Sequence, residues 1–338
     1  MILLFALAFI APLIVAYFWF LNWIDRYEKE PFWLQCVAFL YGAIAATSLG
    51  GIMTGQLSAA TASQIFAAFH DPNEVERWST WLYAPIAEEA MKGAGVVLFF
   101  IFGHLIFEEF DGPMDGLVYG GLIGLGFTAT EDVLYISGAA VENGVGGFVL
   151  LAFVRTVLGG LGHACYTGMT GLGWGLAVRT RNPLLKVLYP TVGFGTAVML
   201  HGIHNWLPTY LELPGAIASI MLTWVFFVVW FVMIGVVIGH ERRIVLTQLA
   251  DEIGDTLRDE QELRALGTVF AQGFRNVGLF FRGLRGYSRA RRRQHLLIEL
   301  AFVKDRLTRG AGDQRELLIE QWRIRQQLAV NAEMLTRQ

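Results

Sequence analysis

Charged residues and cysteines are both scarce in this sequence. Only 16% of its 338 residues are charged, whereas a soluble domain has about 25%. Its two cysteines, Cys36 and Cys165, both lie in apolar segments and provide neither a disulfide framework nor a CxxC metal site. The sequence also contains no HExxH zinc motif and no GxSxG nucleophile elbow. These absences argue against a soluble domain and against the most common signatures of zinc and serine hydrolases.

Hydrophobic residues make up 54% of the chain and gather in long runs. A membrane-spanning helix needs about 20 mostly apolar residues, and each run is long enough. We predict seven spans, at 2–24, 34–54, 81–103, 115–140, 148–178, 184–206 and 215–239. The first is expected to be a retained span, because it lacks the basic start of a signal peptide and is too long for one. The more polar residues 55–80 are predicted to lie outside the bilayer.

The predicted fold is therefore all-α. We expect a polytopic transmembrane helical bundle of about seven spans in residues 1–240, followed by a C-terminal cytoplasmic helical tail in residues 241–338. Lys and Arg residues set the orientation of such a bundle. They lie between spans one and two, around the loop between spans five and six, and in the tail, which are all on the same side of a seven-span bundle. This distribution predicts an N-terminus outside and a C-terminus in the cytoplasm.

Glycines recur at four-residue spacing in spans four and five. They are Gly116, Gly120 and Gly124, and then Gly171 and Gly175. Small residues four apart let helix backbones approach closely in lipid. We therefore interpret these glycines as packing residues and not as a site.

The tail is basic, with 18 Lys and Arg against 13 Asp and Glu in residues 241–338. Apolar and charged residues alternate there at helical spacing, and an arginine cluster lies beside leucines and phenylalanines in residues 265–294. A basic amphipathic helix next to a membrane span is typical of binding to anionic lipid. Nucleic-acid binding, which an arginine cluster also permits, is disfavoured by the juxtamembrane position.

The third apolar run contains three charged residues, Glu88, Glu89 and Lys92. Because a charge at membrane depth costs roughly 2.5–3.5 kcal/mol, these residues need partners or a function. Glu88 and Lys92 are four apart and share a helix face, while Glu89 points about 100° away. Lys92 can neutralise one carboxylate and leave the other to act on water or to join a metal. A structural ion pair between helices explains these three residues equally well at this point.

Polar residues in three further spans are predicted to meet this cluster. They are Glu131 and Asp132 in span four, His163 in span five, and His201, His204 and Asn205 in span six. With the predicted orientation they lie at similar depth, in the outer half of the membrane. A helix–helix hydrogen bond is as good an explanation for Glu131 as a site role, and a better one for Asp132. The three residues of span six lie near one helix face, which suits metal binding or stabilisation of an oxyanion.

The combination of EExxK at 88–92, FxxxED at 127–132, a histidine span and HGxHN at 201–205 resembles the PrsW family of intramembrane proteases. The DRYEKEP loop after the first span also looks like that family, and the resemblance covers about residues 15–210. The family is similar to the clan of CAAX-processing and bacteriocin-immunity membrane endopeptidases, which have EExxxR, FxxxH and HxxxN. The sequence departs from that clan at Glu131, which stands where the clan has its second-motif histidine.

The resemblance implies that Glu88 and Glu89 are catalytic and that His163 and His201 bind metal or the oxyanion. It also implies a bacterial cytoplasmic (inner) membrane and cleavage on the extracytoplasmic side. A membrane-anchored protein, such as an anti-sigma factor or a similar regulator, would then be the substrate.

We therefore expect an intramembrane endopeptidase. Its expected catalytic residues are Glu88, Glu89, Lys92, Glu131, His201 and Asn205, and its expected metal ligands are Glu89, Glu131, His163, His201 and His204. Glu88 is expected to act as general base on a water, while the other groups hold a zinc ion or position that water.

Three alternatives are left open by the sequence. In a metal-free mechanism Glu88 alone activates water, and His201 and Asn205 stabilise the oxyanion. A proton- or ion-coupled transporter would use the same charges as a relay. A non-catalytic membrane scaffold would work through its tail. The sequence indicates neither the oligomeric state nor the substrate.

Overall fold

The computed structural model describes residues 1–27, 29–103, 110–257, 259–268 and 284–336. The regular structure of these residues is helical, and they form no β-strand, so the predicted all-α class is confirmed. In chain order the helices are α1 (Ile2–Ile24), α2 (Phe32–Phe69), α3 (Glu74–Trp78), α4 (Ala84–Phe102), α5 (Pro113–Ala152), α6 (Gly162–Arg179), α7 (Pro183–Gln248), α8 (Glu260–Leu266), α9 (Leu284–Arg309) and α10 (Gln314–Thr336).

Short π-helical segments connect or interrupt several of these helices. They are Tyr41–Ala46 inside α2, Ser79–Tyr83 between α3 and α4, and Phe153–Leu158 directly after α5. A π segment inserts an extra residue into a helical turn and is often found at a functional site. The last of the three contributes to the site described below.

Among the residues that the structure describes, four helical stretches are long and apolar enough to cross a membrane. They are Ile2–Ile24, Phe32–Phe69, Pro113–Arg179 and Pro183–Glu252. Helix α4 is not among them because Glu88, Glu89 and Lys92 interrupt its apolar sequence. These helices indicate an integral membrane protein.

The second predicted span, 34–54, is part of a longer helix. Helix α2 runs on to Phe69 through much of the stretch predicted to lie outside the bilayer, and it ends at His70, whose φ of 58° is left-handed. The polar residues of this stretch fit a helix because their hydroxyls donate to backbone carbonyls one turn earlier, as those of Ser58 and Thr61 do.

The fifth predicted span, 148–178, was wrong as a single helix. The chain leaves helical geometry at Gly159 and restarts as α6. Glycines are poor helix formers, and a side chain at Gly160 would lie 2.6 Å from the ring of Tyr17 on α1. The Tyr17 hydroxyl donates to the carbonyl of Thr156 at 2.9 Å and so satisfies a group next to the break.

Spans six and seven were predicted as separate helices joined by a short loop. The range given as α7 contains two helices that meet at a kink at Glu212, with φ 50° and ψ −130°, so the chain leaves helical geometry between the two predicted spans. Pro208 and Pro214 flank this position. Because proline removes a backbone donor and clashes with the preceding turn, the two prolines explain why the helix changes direction there.

The glycines of α5 and α6 hold these two helices in close contact. A Cβ atom at Gly116 would lie 2.0 Å from the carbonyl oxygen of Gly171, and one at Gly124 would lie 2.2 Å from that of His163. Gly120 and Gly175 make similar approaches to the opposite backbone. The packing interpretation of these glycines is therefore confirmed, and the contact at Gly124 brings α5 against the residue that begins the site on α6.

The chain divides into two compact units. The first is Met1–Asp25 with Glu30–Ile234, and the second is Arg26–Lys29 with Gly235–Gln338. The second unit has a hydrophobic core of its own, which includes Val245, Leu249, Leu266, Leu300 and Phe302.

Ion pairs add to the core of the second unit. Lys304 and Arg325 contact Glu252 at 2.9 Å and 2.6 Å. Tyr27 also belongs to this unit, where its hydroxyl donates to the carbonyl of Gly267 at 3.3 Å. The tail is thus a folded helical unit over the residues that the structure describes.

Candidate active site

The two adjacent glutamates of α4 lie in different surroundings. Glu89 and Lys92 are fully buried, and the Lys92 ammonium lies 2.7 Å from Oε1 of Glu89. Glu88 is partly exposed, and its Oε2 lies 3.9 Å from the same ammonium. Lys92 therefore pairs chiefly with Glu89, three positions away, although the helix geometry had placed it on the face of Glu88.

Glu89 is the most fully bonded carboxylate of the cluster. Its Oε1 accepts from Lys92 and lies 3.1 Å from Nδ1 of His201, while its Oε2 accepts from Thr167 at 3.0 Å. A buried carboxylate needs such partners because its charge has lost its water. The arrangement leaves Nε2 of His201 directed away from Glu89, 3.8 Å from Oε2 of Glu88.

His163 occupies the first turn of α6 and joins α5 to α4. Its Nε2 lies 2.8 Å from Oε2 of Glu131, and its Nδ1 lies 3.0 Å from the Lys92 ammonium. The ring centre of His163 is also 4.8 Å from that of His201. The ammonium of Lys92 lies 3.9 Å from the centre of the Phe127 ring, which places a cation–π contact beside the ion pair.

Arg155, which the sequence motifs did not single out, also lies in this cluster. It belongs to the π segment after α5, and its guanidinium donates to Glu131 and Asp132, each at 2.7 Å. Asp132 also accepts from the Thr156 hydroxyl at 3.2 Å. An arginine inside the apolar run 148–178 was the signal in the sequence that could have found it, because a charge in such a run needs a partner.

Two residues of the HGxHN motif lie farther from the carboxylates. His204 directs Nδ1 at the hydroxyls of Ser219 and Thr223, at 2.8 Å and 3.1 Å. The amide nitrogen of Asn205 donates to the carbonyl oxygen of Thr80 at 3.0 Å. Both residues line a cavity of about 400 Å³, together with Glu131, Arg155, His163, Tyr166 and His201.

One set of side chains in the described part of the chain could hold a metal ion. A carboxylate oxygen of Glu88 and ring nitrogens of His163 and His201 lie within 4.8 Å of one another. Two histidines and one glutamate are a known ligand set for catalytic zinc. The structure thus groups Glu88 with the histidines, whereas the sequence had assigned Glu89, Glu131 and His204 to the metal.

Further features of the site fit a divalent cation. Oε2 of Glu88 is buried and has no hydrogen-bond partner among the described residues. The cluster contains four carboxylates, on Glu88, Glu89, Glu131 and Asp132, but only two permanent cations, on Lys92 and Arg155. When all six groups are ionised and the histidines are neutral, two negative charges are unbalanced, and buried charges need compensation.

Each histidine of this set also has the outer partner that metal-binding histidines usually have. His201 directs Nδ1 at Glu89, and His163 directs Nε2 at Glu131. A carboxylate on one ring nitrogen fixes the ring and leaves the other nitrogen for the metal. For His163 that other nitrogen now contacts Lys92, so a metal would replace this contact.

A helical membrane protein that brings carboxylates and histidines from several helices to the wall of a cavity has the site of an intramembrane hydrolase. The profile of the PrsW family of intramembrane metalloproteases matches residues 30–234, which is more than half of the chain. The chain therefore belongs to the PrsW family.

Individual relatives agree with this membership. Protease PrsW of Geobacillus kaustophilus (strain HTA426) is 30% identical over 187 residues, which cover 54% of this chain and 70% of that protein. Protease PrsW of Oceanobacillus iheyensis is 30% identical over 179 residues, covering 53% and 71%. Protease PrsW of Bacillus subtilis (strain 168) is 25% identical over 188 residues, covering 56% and 75%. No solved structure matches the chain.

The chain is thus an intramembrane protease of the metallo- or glutamate type, as the sequence motifs predicted. A protease acts on a protein or peptide substrate. The transporter and scaffold alternatives are not favoured by this membership.

Proposed function

We propose that this protein hydrolyses a peptide bond of a membrane-anchored protein at the cavity bounded by α5, α6 and α7. The observation that carries the proposal is the meeting of Glu88, His163 and His201 within 4.8 Å. Three helices contribute to this set, and each histidine is held by its own carboxylate. A regulator such as an anti-sigma factor, cut on its extracytoplasmic side, is the substrate class that we propose.

In the proposed mechanism Glu88, His163 and His201 are the residues that would hold a zinc ion. Zinc in such a site lowers the pKa of a coordinated water to about 7 and so supplies a nucleophile at neutral pH. Glu89 keeps His201 in place, and Lys92 neutralises Glu89. Lys92, which contacts Nδ1 of His163 at 3.0 Å, would have to release this nitrogen for it to bind a metal.

Glu131 and Asn205 are proposed to act on the reactants. The contacts of Glu131 with Arg155 and His163 both use Oε2, so Oε1 is available to take a proton at the cavity wall. Asn205 uses one amide hydrogen on Thr80, and its second hydrogen is available to a developing oxyanion.

A metal-free mechanism uses the same atoms in a different way. Glu88 then activates the water itself, because its Oε2 has no other hydrogen-bond partner among the described residues. His201 and Asn205 would stabilise the oxyanion. We assign His204 no catalytic task in either version, because it lies outside the set that could hold a metal among the described residues.

The deciding experiment measures metal and cleavage together. The full-length protein is purified, its zinc content is determined, and cleavage of a membrane-anchored reporter is followed before and after chelation. Zinc near one per chain, with activity lost on chelation and restored by zinc, is the expected result. Full activity in a metal-free preparation would contradict the zinc site and favour the glutamate mechanism. Zinc without hydrolysis of any membrane-anchored reporter would contradict the proposed reaction.

The topology is also a proposal. We propose about seven spans in a bacterial cytoplasmic (inner) membrane, with the N-terminus outside and the C-terminus inside. The support is the distribution of Lys and Arg and the tail, which begins after the last apolar run. Reporter fusions after residues 30, 180 and 245 test this proposal, because all three are expected to report the cytoplasm.

We propose in addition that the tail binds anionic lipid. Half of the predicted lipid-binding stretch, 265–294, lies outside the described residues, but α10 has an exposed apolar face formed by Leu318, Ile319 and Trp322. The exposed arginines Arg315 and Arg323 are four positions before and after Ile319 and so lie beside that face. Apolar residues beside basic ones on one helix are suited to an anionic bilayer surface.

A fluorescent probe on α10 tests lipid binding in the full-length protein. A polarity-sensitive dye is attached to Leu318→Cys, in a variant without Cys36 and Cys165, and the protein is placed in nanodiscs. A blue shift in phosphatidylglycerol discs, absent in phosphatidylcholine discs and absent for the same dye at exposed Glu260→Cys, is expected. Identical spectra in both lipids would contradict the proposal.

A further inference from the structure

Arg155 is a half-buried arginine at the cavity wall. Its Nε donates to Oδ1 of Asp132 and its Nη2 donates to Oε2 of Glu131, both at 2.7 Å. Its guanidinium carbon lies 4.4 Å from the centre of the Tyr135 ring. Two directional hydrogen bonds and one ring contact fix the plane of the guanidinium.

Because Arg155 orients the Glu131 carboxylate, it also affects the orientation of the histidine that this carboxylate contacts. Oε2 of Glu131 accepts from Arg155 and also lies 2.8 Å from Nε2 of His163. If Arg155 were absent, the Glu131 carboxylate could turn about its side-chain bonds, and the ring of His163 would lose the group that selects its orientation. His163 therefore depends on Arg155 without contacting it.

The same arrangement occurs a second time in the site. Lys92 pairs with Glu89, and Glu89 holds Nδ1 of His201. In both cases a cation contacts a carboxylate, and that carboxylate contacts a histidine. The first cation, Lys92, belongs to the EExxK motif, whereas the second, Arg155, belongs to the π segment Phe153–Leu158.

We infer that Arg155 is a positioning residue for the metal site. Through Glu131 it fixes the ring of His163 so that Nδ1, and not Nε2, is the nitrogen offered to the metal. This inference rests on the proposed function, because it assigns a task to Arg155 only if His163 binds metal. A purely structural arginine that joins α5 to the π segment would stabilise the fold equally well but would leave metal affinity unchanged.

Zinc affinity of the purified full-length protein separates the two roles. It is measured by competition with a chromophoric chelator for the wild type, Arg155→Gln, Arg155→Lys and Asp132→Asn, and thermal unfolding is recorded for each. Loss of an outer partner of a metal ligand typically weakens metal binding about 10- to 100-fold. Because Arg155 contacts that partner, Glu131, and not the ligand itself, we expect a loss at the lower end, about 10-fold, for Arg155→Gln. Arg155→Lys is expected to fall between Arg155→Gln and the wild type, because an ammonium lacks the two-pronged geometry of guanidinium.

Asp132→Asn is the matched control. It removes the ion pair between Arg155 and Asp132 but keeps the contact of Arg155 with Glu131 and that of Glu131 with His163. We expect a lower melting temperature and a smaller loss of zinc affinity than in Arg155→Gln, because the bond from Arg155 to Glu131 remains and Asp132 contacts neither histidine.

The outcomes separate this inference from the proposed function. Zinc affinity of Arg155→Gln equal to that of the wild type would overturn the inference and leave the metal site standing. A wild type that binds no zinc would overturn the metal site and the inference with it. If Arg155→Gln does not accumulate in the membrane, Arg155→Lys decides by the same measurement, with wild-type affinity as the overturning result.

Discussion

Nδ1 of His201 lies 3.1 Å from Oε1 of Glu89, although 112 residues separate the two in the chain. Together with Lys92 and Thr167, this contact occupies both oxygens of Glu89. Glu88 is its neighbour in the chain, yet its Oε2 has no hydrogen-bond partner among the described residues. The two glutamates of one motif therefore have different surroundings, and we propose that Glu89 holds the site together while Glu88 reacts or binds.

Substituting each glutamate separately tests this division of tasks. We expect Glu88→Gln to reduce cleavage of a membrane-anchored reporter to background while its melting temperature stays close to that of the wild type. Glu89→Gln leaves a buried lysine without its charged partner, which costs about 3–5 kcal/mol, so its melting temperature should fall strongly. Retained cleavage by Glu88→Gln would remove this residue from the mechanism.

Removing both inner histidines tests the metal site. The His163→Ala/His201→Ala variant should lose the zinc that we expect at about one ion per chain, because two of three protein ligands are gone. His204→Ala is the control, since His204 contacts Ser219 and Thr223 and lies outside the candidate metal set. Elemental analysis measures the zinc content of the wild type, the double variant and His204→Ala. Loss of zinc from His204→Ala would show that the ligand set is wrong.

Because α5 and α6 pack closely, we expect that one methyl group added between them lowers stability and activity. In Gly124→Ala the new Cβ would meet the carbonyl oxygen of His163 at 2.2 Å, so the helices must separate and the site must shift. A loss of about 1–3 kcal/mol in stability, typical of overpacking, and a strong loss of cleavage are expected. Gly138→Ala on the same helix meets no atom within 4 Å and should behave like the wild type in thermal unfolding and activity. Equal behaviour of the two variants would contradict the close packing of these helices.

Asn205→Ala tests the proposed oxyanion donor. Loss of one such donor typically lowers kcat about 10²- to 10³-fold, and we expect a decrease of this size with unchanged zinc content. Steady-state cleavage of the reporter and elemental analysis of the same preparation measure both quantities. An unchanged kcat would assign Asn205 only to its hydrogen bond with Thr80.

Much of the site could be anticipated from the sequence because charge is costly in an apolar environment. Glu88, Glu89 and Lys92 stand out in the run 81–103, and the structure brings them together with Glu131, His163 and His201. The predicted all-α class also followed directly from composition. His204 was expected to join the metal ligands, but the structure gives its Nδ1 to Ser219 and Thr223.

The pairing of these groups could not be read from the sequence. The Lys92 ammonium lies 2.7 Å from Glu89 but 3.9 Å from Glu88. Arg155 contacts Glu131 and Asp132 from the π segment Phe153–Leu158. Neither pairing follows from the positions of these residues in the sequence. Helical periodicity gives only the face on which a residue lies, and it does not register a π turn or a break such as that at Gly159.

The sequence by itself determined that this is a helical membrane protein with charged residues inside its apolar segments, where a charge costs free energy. Hydropathy and charge depend only on which residues are present and in which order they follow one another. The sequence also determined which glycines would let two helices approach closely. Only the tertiary structure decided that Glu88 lies with His163 and His201, while Glu89 and Glu131 each stand behind one histidine. The physical reason is that such roles depend on distances of about 3–4 Å between atoms of different helices, and these distances arise only when the helices pack.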